Sequence, residues 1–516
     1  MFDTLLPFAL TFTTLLAIKL YIASKGTIRS NQLPPGPKPL PFIGNILDMP
    51  GDRENWKGLS EMSKKYGKIM YLYFPNKPTV VIDSARVAVD LFEKRSHLYS
   101  DRIDCIFEKF TGWEWNISSM PYGPTWRANR RCFHQYFNSN ASLSHIGAQV
   151  RQTHAFLRRA LKSPEDVPRL SRLMFSASIL NIVYGIEIND LNDEYFEMAE
   201  KAMNGFSLGR SQGTFWVEYL PFLQYLPSWF PGATFKTIAK EFAPYVSAMK
   251  NQPFDNVKQA MDAGDHVEPC LTRTLIQRVQ NNEVDEEVAR NATGMAYGAS
   301  TETSTSASHA FLIAMAQYPD VQKRAQAEID AHLNLDKLPS QLDDVQDLPY
   351  LRALLMEVLR VRATVPLGVP HRLTQDDSYE GYVLPKGTII IPNAWSMLND
   401  PEDYPEPEVF NPDRFLKDGV INPAVRDPAS ITFGFGRRVC PGKAFSINSL
   451  LLQFASILQV FDVRVKTDED GNPMDLNIPM TTGLVSLPER VPCILLPRSD
   501  AAKRLIEKSA YEEQNI

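Results

Sequence analysis

The chain has 516 residues, of which 44% are hydrophobic and 22% are charged, as in an average globular protein. This composition excludes a wholly disordered, collagen-like or coiled-coil chain. The formal net charge of −6 shows no basic excess of the kind that marks nucleic-acid-binding proteins.

The N-terminus carries an apolar run, Leu5–Ile18, which Leu20–Ala23 extends. No basic residue precedes the run, whereas basic residues, Lys19 and Arg29 among them, follow it. A cleaved signal peptide usually has positive charge before its apolar stretch, and the positive-inside rule leaves the bulk of this chain cytosolic. The pattern favours an uncleaved transmembrane anchor over residues 1–23. A cleaved signal and a short buried helix are the alternatives.

Residues 24–41 form a basic and proline-rich hinge between the anchor and the body. Proline locks φ and cannot continue a helix, so we expect a stiff spacer here. Length alone suggests about three domains, but residues 42–498 contain no Gly/Ser linker, repeat or long charge run. We therefore expect a single catalytic domain over 42–498, followed by a loose polar tail over 499–516.

Short strand patterns interrupt a body that is otherwise mostly helical. Residues 70–74 and 79–82 predict a hairpin around the turn Pro75-Asn76. Residues 388–392 and 491–496 predict two later strands. The pattern indicates a mainly α chain with small β-sheets, which places the fold in the α+β class.

A long helix is predicted from near Asn282 to Gln317, with acidic residues in its first turn. Its centre, residues 297–306, is rich in Ser and Thr, whose hydroxyl groups compete for backbone hydrogen bonds. A long helix that breaks its own propensity at the centre suggests a functional site. Two helices joined by a Ser/Thr loop are the alternative.

The five cysteines are widely spaced, odd in number and without a CxxC pair, which argues against a disulfide framework or a zinc cluster. Cys440 stands in the segment FGFGRRVCPG, residues 433–442, ahead of an apolar-periodic helix. Pro441 suits the first helical position, so we expect the sulfur at a helix N-terminus, where the dipole favours a thiolate. Such a thiolate is a good axial metal ligand. A buried structural cysteine is the alternative.

This segment resembles the haem-thiolate loop of the cytochrome P450 family. The matching residues are Phe433, Gly434, Gly436, Arg438, Cys440 and Gly442. The resemblance covers the chain from Pro34 to about Pro497 in matching order. It implies the cytochrome P450 fold and a haem b group whose iron takes Cys440 as its axial ligand, with Phe433 beside it.

Two further motifs match that family. Glu357 and Arg360 form an ExxR pair on one helical face, and with Arg414 they resemble the family's Glu-Arg-Arg triad. That resemblance implies a structural role behind the haem, not a chemical one.

Trp126 and Arg130 match the family's WxxxR motif, whose helix contacts the haem propionates. Arg372 and Arg438 are expected as further propionate partners, because the planar guanidinium fork binds carboxylates bidentately. Other arginines on the WxxxR helix are expected on a solvated face or in partner docking.

Residues 299–304 resemble the family's oxygen-activation motif. Glu302 and Thr303 match it and are expected to relay protons during the activation of dioxygen. Ser300 departs from the motif, since the family usually has Gly there. Its side chain would narrow the oxygen groove or add a hydroxyl group to the water network.

The resemblance implies a monooxygenase that inserts one oxygen atom of O₂ into a small lipophilic substrate, with electrons from NADPH through an FAD- and FMN-containing reductase. It further implies a single-pass protein of the endoplasmic reticulum membrane with a cytosolic catalytic domain. Because the sequence is most similar in style to fungal microsomal members of secondary metabolism, a terpenoid or a comparable lipophile is the expected substrate.

The expected pocket walls are mostly apolar or aromatic. They include the segments 103–115 and 206–216 and the residues Tyr297, Thr301, Val365, Val369 and Leu484. Two other functions stay open: an isomerase or dehydratase of the same fold that needs no reductase, and a non-enzymatic haem sensor. The presence of Glu302 and Thr303 weighs against the isomerase.

Overall fold

The computed structural model describes residues 32–51, 53–190, 192–210, 214–333 and 336–512. The predicted anchor, residues 1–23, and residues 24–31 of the hinge lie outside the described residues. Within the described ranges, no helix is both long and apolar enough to cross a membrane.

Helices dominate the part of the chain that the structure describes. In the first half they are α1 (Asn55–Tyr66), α2 (Ala85–Val89), α3 (Ser96–Tyr99), α4 (Ile106–Thr111), α5 (Pro124–Phe137), α6 (Ile146–Lys162), α7 (Val167–Tyr184), α8 (Glu194–Arg210) and α9 (Phe235–Ala263). In the second half they are α10 (Leu271–Gln280), α11 (Glu286–Gln317), α12 (Pro319–His332), α13 (Pro349–Val361), α14 (Ala394–Leu398), α15 (Ala429–Thr432), α16 (Lys443–Val460) and α17 (Asp500–Glu512).

The strands form small sheets. They are β1 (Ile69–Phe74), β2 (Lys77–Ile82), β3 (Asp101–Arg102), β4 (His371–Arg372), β5 (Asp377–Tyr379), β6 (Tyr382–Leu384), β7 (Ile389–Pro392), β8 (Leu416–Lys417), β9 (Val420–Ile421), β10 (Phe461–Val465) and β11 (Cys493–Pro497). The largest described sheet has the order β1-β2-β7-β4-β3, in which only β2 and β7 run parallel. The remaining strands pair two by two, and the predicted mainly α class with small sheets agrees with this arrangement.

The predicted strands form where the sequence places them. The hairpin β1–β2 turns at Asn76, whose positive φ of 59° suits a residue that tolerates the left-handed region. β7 and β11 occupy the later strand patterns. β-Branched and aromatic runs bounded by turn residues therefore suffice to locate these strands.

Helix α11 is one continuous helix of 32 residues, so the two-helix alternative is wrong. Its N-cap is Asp285, whose side chain accepts hydrogen bonds from the backbone N–H groups of Glu287 and Val288. Most of its length is buried, including the centre that is rich in Ser and Thr. Burial against the surrounding helices overrides the weak intrinsic propensity of that centre.

The tail differs from the expectation. We predicted a loose polar segment over 499–516, but Asp500–Glu512 forms helix α17. Ala502, Leu505 and Ile506 are buried in the largest apolar cluster of the described residues. Their spacing places them on one helical face, an amphipathic pattern that the abundant charges of the segment obscure.

One buried ion-pair network ties α13 to the chain that follows β7. Arg360 donates two hydrogen bonds of 2.8 Å to the two carboxylate oxygens of Glu357, and both side chains are completely buried. Arg414 donates to the same carboxylate at 3.2 Å, and so does the backbone N–H of Asn411 at 2.8 Å. The remaining guanidinium nitrogens donate to backbone carbonyl groups, from Arg360 to Leu398 and from Arg414 to Val409. Removing one member would leave a buried charge without its partner, which is strongly destabilising.

Candidate active site

Cys440 lies in a buried cavity between the loop that precedes α16 and the middle of α11. Its backbone N–H donates a hydrogen bond of 2.7 Å to the carbonyl oxygen of Phe433, which closes the loop. Helix α16 begins at Lys443 with Gly442 as its N-cap, so Pro441 precedes the helix and does not occupy its first turn as predicted. Cys440 lies deep within the protein. The part of its surface that stays accessible faces the cavity and not the outer solvent.

Two glycines shape this loop. Gly436 has a φ of 54°, and a Cβ atom there would lie 2.0 Å from the backbone carbonyl oxygen of Phe92. Gly434 has a φ of 76°, again in the left-handed region. A side chain at Gly436 would push the loop away from the backbone at Phe92, so only glycine allows the observed position of the cysteine.

The electrostatics at Cys440 are a balance of opposing effects. Burial raises the pKa of the thiol, which by itself disfavours the thiolate. The backbone N–H of Gly442 and the positive charges of Arg130 and Lys443 lower the same pKa. A thiol in this position becomes a stable thiolate when a positive metal centre is its neighbour.

Three guanidinium groups converge on one edge of the cavity: those of Arg102, Arg130 and Arg438. Their hydrogen bonds run to backbone carbonyl groups, such as the 2.8 Å bond from Arg438 to Ser100 and the 2.9 Å bond from Arg102 to Ser118. No carboxylate of the described residues forms an ion pair with any of the three. Burial lowers the pKa of Arg438 to about 10 and that of Arg102 well below its ordinary value, because these charges are held out of water.

Trp126 supports this edge through its ring. Its indole N–H donates to the carbonyl oxygen of Ile117 at 3.2 Å, and the Arg438 guanidinium stacks over the ring at 4.3 Å. Trp126 therefore lines the cavity, as predicted, while its N–H group already has a protein acceptor.

The structure places Arg372 outside the cavity, contrary to its expected contact with a propionate. Its guanidinium forms ion pairs with Asp101 at 2.7 Å and with Asp104 at 3.4 Å. The preceding residue, His371, is buried and lines the cavity. Successive side chains of a strand point to opposite faces, so only one of the two can face the cavity from β4.

Arg102 and His371 are the site residues that the sequence motifs missed. Arg102 lies in β3, which pairs with β4 and so brings it beside His371. A basic residue in a two-residue strand carries no periodic signal. His371 could have been found from strand alternation, because a strand that turns Arg372 away from the cavity turns the preceding side chain towards it.

These residues fit a haem group. Haem needs a fifth ligand below the ring, an apolar slot for its two faces and cationic partners for its two propionates. Cys440 would supply the sulfur, Phe433 and Phe445 are among the apolar lining residues, and the converging guanidinium groups form no ion pair with a carboxylate of the described residues.

One face of α11 forms the opposite wall of the cavity. Its lining residues include Ala299, Ser300 and Thr303. The Thr303 hydroxyl donates a hydrogen bond of 2.8 Å to the carbonyl oxygen of Ala299, one turn earlier. This bond uses the hydroxyl hydrogen, so the Thr303 oxygen can still accept a hydrogen bond from a donor in the cavity.

Glu302 lies beside Thr303 in an ion-pair chain that leads outward. Its carboxylate accepts a hydrogen bond of 2.9 Å from Arg172, which also donates to Glu200 at 2.7 Å. Burial raises the pKa of Glu302, while Arg172 lowers it and Glu200 raises it further. The side chain of Glu200 is 38% exposed, so the chain connects the site to solvent.

A small inner pocket of about 130 Å³ adjoins the same face of α11. Val365, Val369 and Leu484 line it, in agreement with the expected walls, together with Trp113 and Phe206. Residues 211–213 of the expected segment 206–216 lie outside the described residues.

Tyr297 and Thr301 do not line this pocket. Tyr297 is buried in the core, where its hydroxyl donates to the carbonyl oxygen of Tyr195, and Thr301 accepts a hydrogen bond from Ser176 at 3.3 Å. The two residues are four apart and share one helical face, which is turned away from Ala299 and Thr303. Sequence order alone does not reveal which face of α11 meets the cavity.

Comparison with known proteins gives a consistent result. The family model described as Cytochrome P450 matches residues 34–491. Cytochrome P450 monooxygenase 98 of Postia placenta is 38% identical over 95% of this chain and 95% of its own length. Cytochrome P450 monooxygenase COX1 of Coprinopsis cinerea is 37% identical over 92% of this chain and 93% of its own. Tryptamine 4-monooxygenase of Psilocybe cyanescens is 34% identical over 95% of this chain and 98% of its own.

Arg130 and Arg127 provide a matched test of the cationic edge, since both lie on α5 but only Arg130 lines the cavity. We expect Arg130→Gln to weaken haem binding about ten-fold, because a charge-assisted hydrogen bond to a propionate is lost. The measurement is the rate at which haem transfers to an excess of apomyoglobin.

Arg127→Gln is the control, and its haem transfer rate should equal that of the unmodified protein. Equal rates for the two variants would show that Arg130 holds no propionate.

Proposed function

The chain belongs to the cytochrome P450 family and is a haem-dependent monooxygenase, and on that premise we propose that Cys440 is the axial ligand of its haem iron. The observation that carries this proposal is the cysteine held by the Phe433 carbonyl group in a cavity edged by guanidinium groups that form no ion pair with any described carboxylate. The haem, reduced with electrons from an NADPH-dependent reductase, supplies the activation of dioxygen and the transfer of one oxygen atom to the substrate.

The residues around the cavity hold and orient the cofactor. Cys440 gives the sulfur ligand, and Gly434 and Gly436 let the loop approach closely enough to present it. The haem propionates are bound by the basic residues at the cavity edge, which are Arg102, Arg130, Arg438 and His371. In this proposal, Arg372 has no contact with haem and instead fixes β4 to the acidic residue Asp101.

Glu302 and Thr303 move protons. The Arg172 guanidinium stays protonated, so Glu302 takes up a proton when its carboxylate leaves this ion pair, while Arg172 keeps its second ion pair with the partly exposed Glu200. Because burial raises the pKa of Glu302, its carboxyl group can hold a proton more readily than a solvated one. Thr303 lines the cavity, and its hydroxyl delivers a proton there once it releases the Ala299 carbonyl group, while Ser300 adds a second hydroxyl to the same wall.

The substrate is a small neutral lipophile, and a terpenoid fits this description. Trp113, Phe206, Val369 and Leu484 give the inner pocket an apolar surface. Glu302 is the one carboxylate among the described lining residues, and Arg172 already neutralises it. The pocket therefore has no free counter-charge for an ammonium group such as that of tryptamine.

We further place the protein at the cytosolic side of the endoplasmic reticulum membrane, with residues 1–23 as its anchor. The apolar run and the basic residues after it support this placement. So do exposed aromatic side chains between α8 and α9, where Tyr225 is 82% and Trp229 is 78% exposed. Trp and Tyr are the residues enriched at membrane–water interfaces.

Thr303→Ala should uncouple the reaction, because protons no longer reach the oxygen in step with the electrons. We expect NADPH consumption to continue while the yield of product per NADPH falls at least about ten-fold, since a positioned proton-transfer group contributes roughly 10²–10⁴-fold. The measurement is the ratio of product formed to NADPH consumed in the reconstituted system with reductase.

Thr301→Ala is the control on the opposite face of α11, and its coupling should stay unchanged. An unchanged ratio in Thr303→Ala would exclude the relay through this hydroxyl.

Sealed microsomes test the membrane orientation. We expect added protease to degrade the catalytic domain without detergent, because the positive-inside rule leaves it outside the vesicles. A domain that survives until detergent opens the vesicles would have the opposite orientation.

A further inference from the structure

A groove separate from the haem site runs between α6, α17 and the turn that follows α7. Its volume is about 790 Å³. None of its lining residues lines the Cys440 cavity or the inner pocket. The oxygenation reaction proposed above therefore gives this groove no role.

The groove is basic, although the chain as a whole has a formal net charge of −6. Its acidic lining residues are two, Glu187 and Glu507, and its basic lining residues are five. The basic residues are Arg151, Arg158, Arg159, Lys162 and Lys503. A concave surface with an excess of one charge focuses the electrostatic field and attracts ions of the opposite sign.

Helix α6 contributes four of these cations from one side. Arg151, Arg158, Arg159 and Lys162 stand at positions i, i+7, i+8 and i+11, which fall on the same face of a helix. At 1.5 Å per residue, this basic row is about 16 Å long. Lys503 belongs to the opposite wall, which α17 forms.

Hydrogen bonds hold the guanidinium groups of α6 against the other walls. Arg158 donates to the hydroxyl oxygen of Ser509 on α17 at 2.9 Å, and Arg159 donates to the side-chain oxygen of Asn189, itself a lining residue, at 3.2 Å. Arg151 donates to the side-chain oxygen of Asn181 on α7 at 3.2 Å. These acceptors are neutral, so the bonds orient the guanidinium groups without cancelling their charge.

Three of the cations have no counter-charge in the part of the chain that the structure describes. Arg151, Lys162 and Lys503 form no ion pair with a described carboxylate, and the two lysines are exposed. Such cations are available to an anion, with which they form charge-assisted hydrogen bonds.

We propose that this groove binds a small molecule that carries several phosphate groups. Its volume lies within the roughly 300–1,000 Å³ of small-molecule pockets, whereas a stable protein partner needs a contact of about 1,000 Å² or more. Guanidinium groups bind phosphate oxygens bidentately, and lysines bind them as point charges. The length of the basic row provides cations for more than one phosphate group. This site goes beyond the oxygenation reaction and does not depend on it.

The test is isothermal titration of the full-length haem protein with ATP and with inositol hexakisphosphate. The salt concentration is about 0.15 M, where distant charges are screened. We expect at least one probe to bind with a micromolar dissociation constant. In Lys162→Gln/Lys503→Gln that constant should rise at least about ten-fold, as expected for lost hydrogen bonds from charged donors. Both lysines are exposed, so their replacement leaves the fold intact.

Lys64→Gln/Lys323→Gln is the control. It removes the same charge at two side chains that are 69% and 76% exposed and lie outside the groove, and its dissociation constant should equal that of the unmodified protein. Tighter binding of ATP would identify a nucleotide site, and tighter binding of inositol hexakisphosphate a site for an inositol phosphate or a lipid headgroup. Either result supports the proposal.

Four results would overturn it. They are the absence of binding by both probes, equal weakening in the two double variants, tighter binding of hexaglutamate than of either probe, and full competition by sulfate at the same ionic strength, which would indicate an adventitious ion only. The titration does not use the haem spectrum, so a failure here is separate from a failure of the Cys440 assignment.

Discussion

The position of the Cys440 sulfur is the constraint on which the rest of the site depends. The hydrogen bond from its backbone N–H to Phe433 and the close approach of Gly436 to Phe92 fix the loop against the start of α16. From there, the guanidinium edge and the face of α11 that carries Thr303 have defined places around the cavity. The buried network around Glu357 holds the neighbouring chain in register, so the same geometry rests on charge pairs that do not line the cavity.

Helix α11 shows how a site is built at a cost in local stability. Its centre has residues that disfavour helix, and packing within the core keeps it helical. The hydroxyl groups have two uses: Thr303 bonds to the preceding turn, and Ser306 donates to the carbonyl oxygen of Ser486. The helix can therefore present polar groups to the cavity without losing its continuity.

Motif and periodicity predicted most of the fold and part of the site. The segment 433–442, the ExxR pair and the bounds of α11 were readable because each depends on local residue types at fixed spacing. The direction in which a side chain points could not be predicted from the sequence. Arg372 was expected to face the cavity, but His371 does, and Tyr297 and Thr301 lie on the face of α11 that is turned away from the cavity. Arg102 gave no signal because its role arises from the pairing of β3 with β4, a contact between distant parts of the chain. The helix over Asp500–Glu512 was missed because its many charges hide a three-residue apolar stripe.

The most direct test of the account is the absorption spectrum of the reduced, carbon monoxide-bound protein. Thiolate ligation gives this complex a strongly red-shifted band. The unmodified protein and Cys132→Ser, which alters a buried cysteine elsewhere, should both show the red-shifted band. Cys440→Ser should lose that band and either retain haem with an unshifted band or fail to retain haem. A red-shifted band that persists in Cys440→Ser would contradict the assignment of Cys440 as the iron ligand.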